Sequence, residues 1–289
     1  MWAKLAMAAR FCKRFTSASE IMWNDMLSEA YQTLLRLFLT VMLLAIAGEA
    51  SFGQSLEVQD VQPAGQTQSL SGQPSAVEFP QKPLHPAKVV IQLLVVGGLM
   101  VFWTFRPDPL RQMLQIGIAA EVCYAMLQDQ ISVRFCPEYF TVAHPRIEAI
   151  TDSTLLGITW GFLGAWWGGA LIGAAAGFSA RLGHWPKLNP QELLHPIAWL
   201  LVFQVVVTSA AGWFATYEVA EPGFMIIEPL ASLIPEERHH ACFIVSRMHQ
   251  GTYLSAIVGG LFVCGWIVRC RFLLAAMQPD PKQTQIAIC

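Results

Sequence analysis

The chain has 289 residues, of which 54% are hydrophobic and only 13% are charged, and its formal net charge is −2. Soluble domains carry roughly 25% charged residues, so this composition lacks the material for a solvated surface and indicates a surface that faces lipid. The charge balance excludes the basic stripe that nucleic-acid binding requires. The seven cysteines contain no CxxC pair, which argues against a zinc ribbon or a thioredoxin-type motif.

The N-terminal region, residues 1–53, resembles a secretory presequence. Its one apolar run, residues 37–47, follows Arg36 and precedes several small residues. A run of about 11 residues is too short to cross a bilayer core of ~30 Å, which needs ~20 helical residues. A basic flank, a short apolar core and small residues after it are typical of a signal peptide. The run is therefore either a cleaved signal or a retained anchor, and Met22 or Met26 is an alternative start.

The next segment, residues 54–86, is rich in Gln, Pro and Ser and holds hardly any aromatic residues. Such a sequence cannot bury enough apolar surface to offset the entropy lost on ordering. We therefore expect a disordered linker that leads into a membrane bundle of residues 87–272. The last residues, 273–289, are polar, are interrupted by proline and form a C-terminal tail.

Apolar segments of helical length recur through the bundle region. They predict an all-α fold, a polytopic transmembrane helix bundle with a lipid bilayer as its surroundings. About five spans are expected after the signal-like segment, at residues 89–105, 110–127, 155–178, 197–217 and 253–268. Glycines at three- and four-residue steps in the third span predict close packing against another helix, because small residues let helix backbones approach in lipid.

The second span is the weakest of the five because it contains several polar residues, with Glu121 near its middle. A carboxylate inside a membrane helix is unfavourable, so this helix should lie within the bundle and away from lipid. Glu121 then has one of two roles. It either holds helices together through a hydrogen bond or takes part in a proton- or ion-linked activity.

Basic residues near the ends of the spans indicate the orientation of the chain. Those that follow the first, third and fifth spans fall on one side: Arg106, Arg111, Arg181, Lys187, Arg269, Arg271 and Lys282. The positive-inside rule places that side, together with the C-terminus, in the cytoplasm. We therefore expect a multi-pass protein of a bacterial inner membrane, with the connections at residues 129–154 and 218–252 facing the periplasm.

The first outward connection concentrates polar and aromatic groups beside the membrane. Its candidate functional residues are Asp129, Arg134, Glu138, Tyr139 and His144. One interpretation is an interfacial loop whose polar side chains satisfy one another. The other is a ligand-binding or catalytic loop, although no nucleophile elbow, Walker loop or HExxH motif supports it.

The second outward connection offers His239, His240 and His249. Imidazole groups beside carboxylates suit zinc and other transition metals, so these residues form either a metal site or an ordinary solvated helix. Cys136 and Cys242 occupy the two outward connections, one each. An oxidising compartment permits a disulfide between them, provided that their Cα atoms lie within ~7 Å.

Residues 129–141, with the sequence DQISVRFCPEYFT, resemble a segment of a family of uncharacterised bacterial multi-pass membrane proteins. Members of that family carry a DQI(S/T)-x4-PEYFT stretch after an apolar helix. A glycine- and tryptophan-rich helix follows it, similar to residues 161–168 here. The likeness covers approximately residues 115–270. It implies a location and an architecture but no activity and no cofactor.

Three classes of function are compatible with the sequence. The first is a structural or partner-docking membrane component whose outward loops bind a membrane or periplasmic protein, which the absence of catalytic motifs favours. The second is a transporter or channel component that uses Glu121. The third is a membrane-embedded, metal-dependent enzyme with an outward-facing site. The sequence leaves open whether the protein is an enzyme and which cofactor it would use.

Overall fold

A computed structural model describes residues 83–106, 108–147, 150–221 and 224–277. The presequence with its signal-like run, nearly all of the linker and most of the tail lie outside the described residues. The described part is built of helices, apart from an isolated bridge between Leu84 and Ile147. Several of these helices are long and apolar enough to cross a membrane. The expected all-α, polytopic membrane bundle is therefore confirmed.

The α-helices of the described part are numbered here in chain order. They are α1 (Pro86–Thr104), α2 (Pro109–Phe135), α3 (Pro137–Thr141), α4 (Ser153–Arg181), α5 (Leu194–Glu218), α6 (Leu230–Leu233) and α7 (His239–Ala276). Short 3-10 helices precede α5, at Pro190–Leu193, and α7, at Glu236–Arg238.

Among the described residues, four segments meet the length and apolarity that a membrane crossing needs, at Pro86–Thr104, Ser153–Arg181, Pro190–Glu218 and Glu236–Ala276. The expected second span, now α2, is not among them because its polar residues dilute its apolar sequence. Its 27 residues nevertheless extend for ~40 Å. The middle of α2 is buried against other helices, which agrees with the expectation that this helix lies inside the bundle.

The predicted connection at residues 129–144 is largely helical. Helix α2 continues to Phe135, so Asp129 and Arg134 lie on its last turns, and Pro137 begins the short α3. In the same way, α7 begins at His239, far ahead of the expected residue 253. Polarity alone does not end a helix whose side chains find partners inside a bundle, and this explains both differences.

Helices α2 and α4 form a close antiparallel pair. A Cβ atom on Gly161 would lie 2.7 Å from the backbone of Met126, and one on Gly169 would lie 2.6 Å from the carbonyl oxygen of Gly117. No real Cβ would fit there, so glycine sets this helix spacing. Gly168, by contrast, has nothing within 4 Å of its Cβ position. The packing glycines are therefore Gly157, Gly161, Gly169 and Gly173, at spacings of four, eight and four residues, and Gly168 of the expected three- and four-residue pattern is not among them.

Helices α5 and α7 form the second close pair. A Cβ on Gly251 would lie 2.8 Å from the side chain of Ala211, and one on Gly259 would collide with Leu200. Residue numbers fall along α5 as they rise along α7, so this pair is also antiparallel. The end of the bundle that holds α3 and the starts of α4 and α7 is called the α3 end below.

Candidate functional site

Polar side chains of α2 meet polar side chains of α5 and α7 in the bundle interior. Glu121 contacts Gln204, Tyr124 contacts Thr208, and Asp129 lies against His249. We call these residues the polar seam, together with Thr252, which contacts Thr208. The seam extends for ~12 Å along α2, from Glu121 to Asp129.

Glu121 and Gln204 form the innermost contact of the seam. The Gln204 Nε2 donates to Glu121 Oε2 over 2.9 Å. Glu121 is 6% exposed and Gln204 is fully buried. The other carboxylate oxygen of Glu121, Oε1, and the amide oxygen of Gln204, Oε1, have no hydrogen-bond partner within the described part of the chain. This contact is therefore only half satisfied.

A chain of hydroxyl groups forms the middle of the seam. The Tyr124 hydroxyl lies 2.8 Å from Thr208 Oγ1, which lies 2.8 Å from Thr252 Oγ1. The Thr252 hydroxyl also lies within donating distance of the Met248 carbonyl, at 3.2 Å. Each hydroxyl rotates and both donates and accepts. The three groups thus connect α2, α5 and α7 through bonds whose direction can reverse.

At the α3 end, the seam finishes in a buried carboxylate and imidazole. Asp129 Oδ1 lies 3.5 Å from His249 Nε2, which is too long for a strong hydrogen bond. Both side chains are at least nine-tenths buried. His249 Nε2 consequently has no hydrogen-bond partner within the described residues.

Aromatic rings cover this pair. The Tyr139 ring stacks on His249, with centroids 4.7 Å apart and an interplanar angle of 28°. The His144 ring lies 4.8 Å from the rings of Tyr139 and Trp160. Its Nδ1 is 2.8 Å from the Tyr139 carbonyl oxygen. We call Tyr139, Phe140, His144, Trp160 and His249 the aromatic cluster.

Burial determines the protonation states of His144 and Tyr139, which lie in the aromatic cluster. It lowers the pKa of His144, against a smaller opposing effect of the bond to the Tyr139 carbonyl. It also raises the pKa of the Tyr139 phenol. Both side chains are therefore uncharged at neutral pH, which suits a cluster of stacked rings.

Glu138 and Arg238 form an ion pair beside the aromatic cluster. Arg238 Nε donates to Glu138 Oε1 over 3.2 Å, and its Nη2 donates to the Phe135 carbonyl over 2.9 Å. Burial opposes the ionisation of Glu138, but the bonds from Arg238 and the local backbone outweigh it and lower the pKa of this carboxyl. The pair ties the end of α2 and the start of α3 to the start of α7.

Cys136 and Cys242, which the sequence predicted in two separate connections, are brought together, Cys242 on the first turns of α7. Cys136 and Cys242 are both buried in one small apolar cluster, where their thiols are present as free thiols. The neighbouring Cys242 thiol, together with burial, raises the pKa of Cys136. The Cys136 thiol donates its proton to Glu138 Oε2 over 3.3 Å. The disulfide itself stays a prediction, now with both partners in contact.

The three histidines proposed as metal ligands are not brought together. His239 Nε2 lies 2.8 Å from the Ile234 carbonyl, and His240 packs against Phe224. His249 lies ~15 Å further along α7. Within the described ranges, no group of three His, Cys, Asp or Glu side chains has a spacing that suits a metal ion. His239 and His240 are consecutive on the first turn of α7 but contact different neighbours, and His249 lies on a later turn of the same helix.

Of the other predicted residues, Arg134 lies away from the seam. Its guanidinium donates to Gln130 and, over 3.0 Å, to the Thr154 hydroxyl on the exposed side of α2 and α4. Sequence reasoning missed Tyr124, Thr208 and Thr252 as members of the site. Gln204 carried a signal, since it is the single amide in an otherwise apolar span.

No protein-family model, curated protein or solved structure matches this chain. The resemblance of residues 129–141 to a segment of a bacterial membrane family therefore stays a proposal. The functional conclusion depends on the geometry of the polar seam.

Proposed function

We propose that this membrane protein translocates an ion, as a transporter or channel component whose path follows the polar seam. The observation that carries the proposal is the alignment of three buried polar contacts between α2 and helices α5 and α7, spaced along α2 from Glu121 to Asp129. Ionisable side chains inside a membrane bundle are rare, and they characteristically mark proton relays and ion pathways.

Incomplete hydrogen bonding favours a path over a purely structural role. Hydrogen bonds that only hold membrane helices together are expected to satisfy both partners. In the seam, Glu121 Oε1, Gln204 Oε1 and His249 Nε2 are buried without a partner among the described residues. Leaving such a group unsatisfied costs about 1–3 kcal/mol. Exchange of an ion or a proton at this site would explain why these unsatisfied groups are kept despite their cost in stability.

The proposed orientation follows from the distribution of basic residues. The α3 end, with Asp129 and His249, faces the periplasm, and the C-terminus lies in the cytoplasm of a bacterial inner membrane. In this orientation the aromatic cluster covers the outer mouth of the seam. Glu121 lies deeper in the bundle and is the group that an ion must pass.

Flux through proteoliposomes tests the proposal. Purified protein is reconstituted, a potassium diffusion potential is imposed, and the entry of protons and of sodium is followed with indicator dyes. We expect Glu121→Gln to reduce the wild-type flux at least about tenfold, equivalent to ~1.4 kcal/mol on the barrier. Glu236→Gln, at an exposed carboxylate outside the seam, is the matched control. Wild-type flux no greater than that of empty liposomes, for both ions, would contradict the proposal.

A partner-docking role is the second candidate because the connection before α6 exposes apolar side chains. Met225 is 75% exposed and Ile227 is 79% exposed, and both lie outside the membrane-crossing segments. Exposed apolar groups of this kind mark interaction sites when they are contiguous. The periplasmic orientation would present them to a membrane or periplasmic protein.

Co-purification in mild detergent tests this second role. We expect a stoichiometric protein partner that is lost from the Met225→Ser, Ile227→Ser double variant, because polar side chains remove the apolar contact. Metal content measured on the same sample tests the metal-dependent enzyme class. A protein that purifies alone and without metal argues against both classes.

A further inference from the structure

The Glu121–Gln204 contact has more acceptors than donors. An ionised carboxylate only accepts hydrogen bonds, whereas a glutamine amide has one accepting oxygen and one donating nitrogen. The single bond observed uses the Gln204 nitrogen and Glu121 Oε2. Two acceptors, Glu121 Oε1 and Gln204 Oε1, then lack a donor. Exchanging the amide nitrogen and oxygen of Gln204 does not help, because it would bring an oxygen against the carboxylate.

One proton resolves this imbalance. A proton on Glu121 Oε1 converts that atom from an acceptor into a donor, and Gln204 Oε1 is the acceptor that needs it. The carboxyl and the amide then exchange two reciprocal hydrogen bonds, Nε2 to Oε2 and Oε1 to Oε1. Each polar atom of the pair gains a partner, and the pair as a whole is neutral.

We propose that Glu121 is the proton carrier of the polar seam, bound to Gln204 as a neutral carboxyl–amide pair. The proposal rests on the proposed function of the seam as an ion path, and it specifies the ion. Towards the α3 end, the next buried polar groups are the hydroxyl chain of Tyr124, Thr208 and Thr252 and then the Asp129–His249 pair, and the proposed route of the proton follows these separate contacts. Gln204 is a positioning residue that holds the carboxyl in place.

A metal cation fits the Glu121 site less well than a proton does. Hard cations take six or more oxygen ligands, whereas this contact offers two free oxygens. Within the described residues, no third acidic, histidine or cysteine side chain joins Glu121 in a group that could hold a metal. The ion pairs described there also leave Glu121 without a positively charged partner. A buried carboxylate without such a partner is strongly unfavourable in its ionised form.

Infrared spectroscopy of the purified protein in lipid nanodiscs tests the proposal directly. At neutral pH, wild-type protein should show the carbonyl band of a protonated carboxylic acid, with a shift on transfer to D2O. Glu121→Gln should remove that band, whereas Glu236→Gln should leave it unchanged. A band that survives in Glu121→Gln but disappears in Asp129→Asn would move the proton to Asp129 and overturn the assignment. Absence of the band from wild-type protein would overturn it as well.

Thermal stability supplies a second measurement, which also shows whether a variant has lost its band only because it does not fold. Glu121→Gln restores two reciprocal bonds as an amide–amide pair, so its apparent unfolding temperature should stay within about 4 °C of wild type. Glu121→Ala leaves Gln204 unpaired and should be less stable than Glu121→Gln. Stabilisation of wild-type protein by sodium over potassium at equal ionic strength, abolished in Glu121→Gln, would show a cation site and contradict the proton assignment.

The infrared measurement is made at equilibrium and needs no flux. A Glu121 band in a protein that passes no ion would retain the proton site and reject the path. Flux that depends on Glu121 without such a band would retain the path and reject Glu121 as a carrier of a bound proton. The two proposals therefore fail separately.

Discussion

His144 shows how a titratable side chain is accommodated by stacking. Its ring lies against Tyr139, Phe140 and Trp160, and Nδ1 contacts the Tyr139 carbonyl. A charged imidazolium would have to be desolvated in this cluster, and burial accordingly lowers its pKa. The neutral ring is thus part of the packing that covers the seam at the α3 end.

The burial of His144 in the aromatic cluster predicts that the stability of the protein depends on pH. Because the pKa of His144 is lower in the folded state than the ~6.5 of an unperturbed histidine, the unfolded chain binds more protons below that value. The stabilising effect is therefore complete above pH ~6.5 and is lost as the pH falls below it. The apparent unfolding temperature should decrease between pH 7 and pH 5, with a shallower slope in His144→Phe.

The matched control for this measurement is His184→Phe, because His184 is exposed to solvent after the end of α4 and lies away from the α3 end. A slope that becomes shallower in His144→Phe but not in His184→Phe belongs to His144. An unchanged slope in His144→Phe would contradict the prediction. Tyr139 and Asp129 remain in both variants, so their share of the titration is common to both profiles.

At the scale of helices, the sequence indicates where apolar helices lie better than where they end. Expected spans match α1, α4 and α5 closely, whereas α2 and α7 extend much further than their apolar runs. The extensions carry Asp129 and His249. From the polarity pattern of each helix alone, these two side chains are predicted to be exposed to solvent. They are buried instead because each extension packs against the other helices at the α3 end.

The same limit applies to the site. Glu121, Asp129, Tyr139 and His144 were identifiable from residue type and position, since each is polar or amphipathic beside or within an apolar helix. Their partners were not identifiable, because helical periodicity gives the face of a residue but not the helix opposite. Hydroxyl groups such as Thr208 are also common in membrane helices, so a single one carries no signal. The three-dimensional packing of α2 against α5 and α7 supplies that missing information.

At the scale of the whole molecule, two antiparallel helix pairs, α2–α4 and α5–α7, meet along the polar seam. Glycine contacts make each pair close, whereas the contacts between the pairs are partly polar. The polar seam therefore lies at the boundary between the two pairs. At the α3 end this boundary is crossed by the Glu138–Arg238 ion pair and by the two cysteines.

The Cys136–Cys242 contact predicts a covalent link across this boundary when the α3 end faces an oxidising periplasm. The two thiols would lose two electrons and two protons to the disulfide of a periplasmic thiol oxidant, forming one disulfide and a reduced oxidant. Because both thiols are buried in the folded chain, oxidation has to precede final packing.

Protein from membranes quenched with a thiol-blocking reagent should migrate faster on a gel without reductant than with it. Cys136→Ser should abolish the difference, whereas Cys264→Ser, away from the α3 end, should retain it. Identical mobility of wild-type protein with and without reductant would contradict the link.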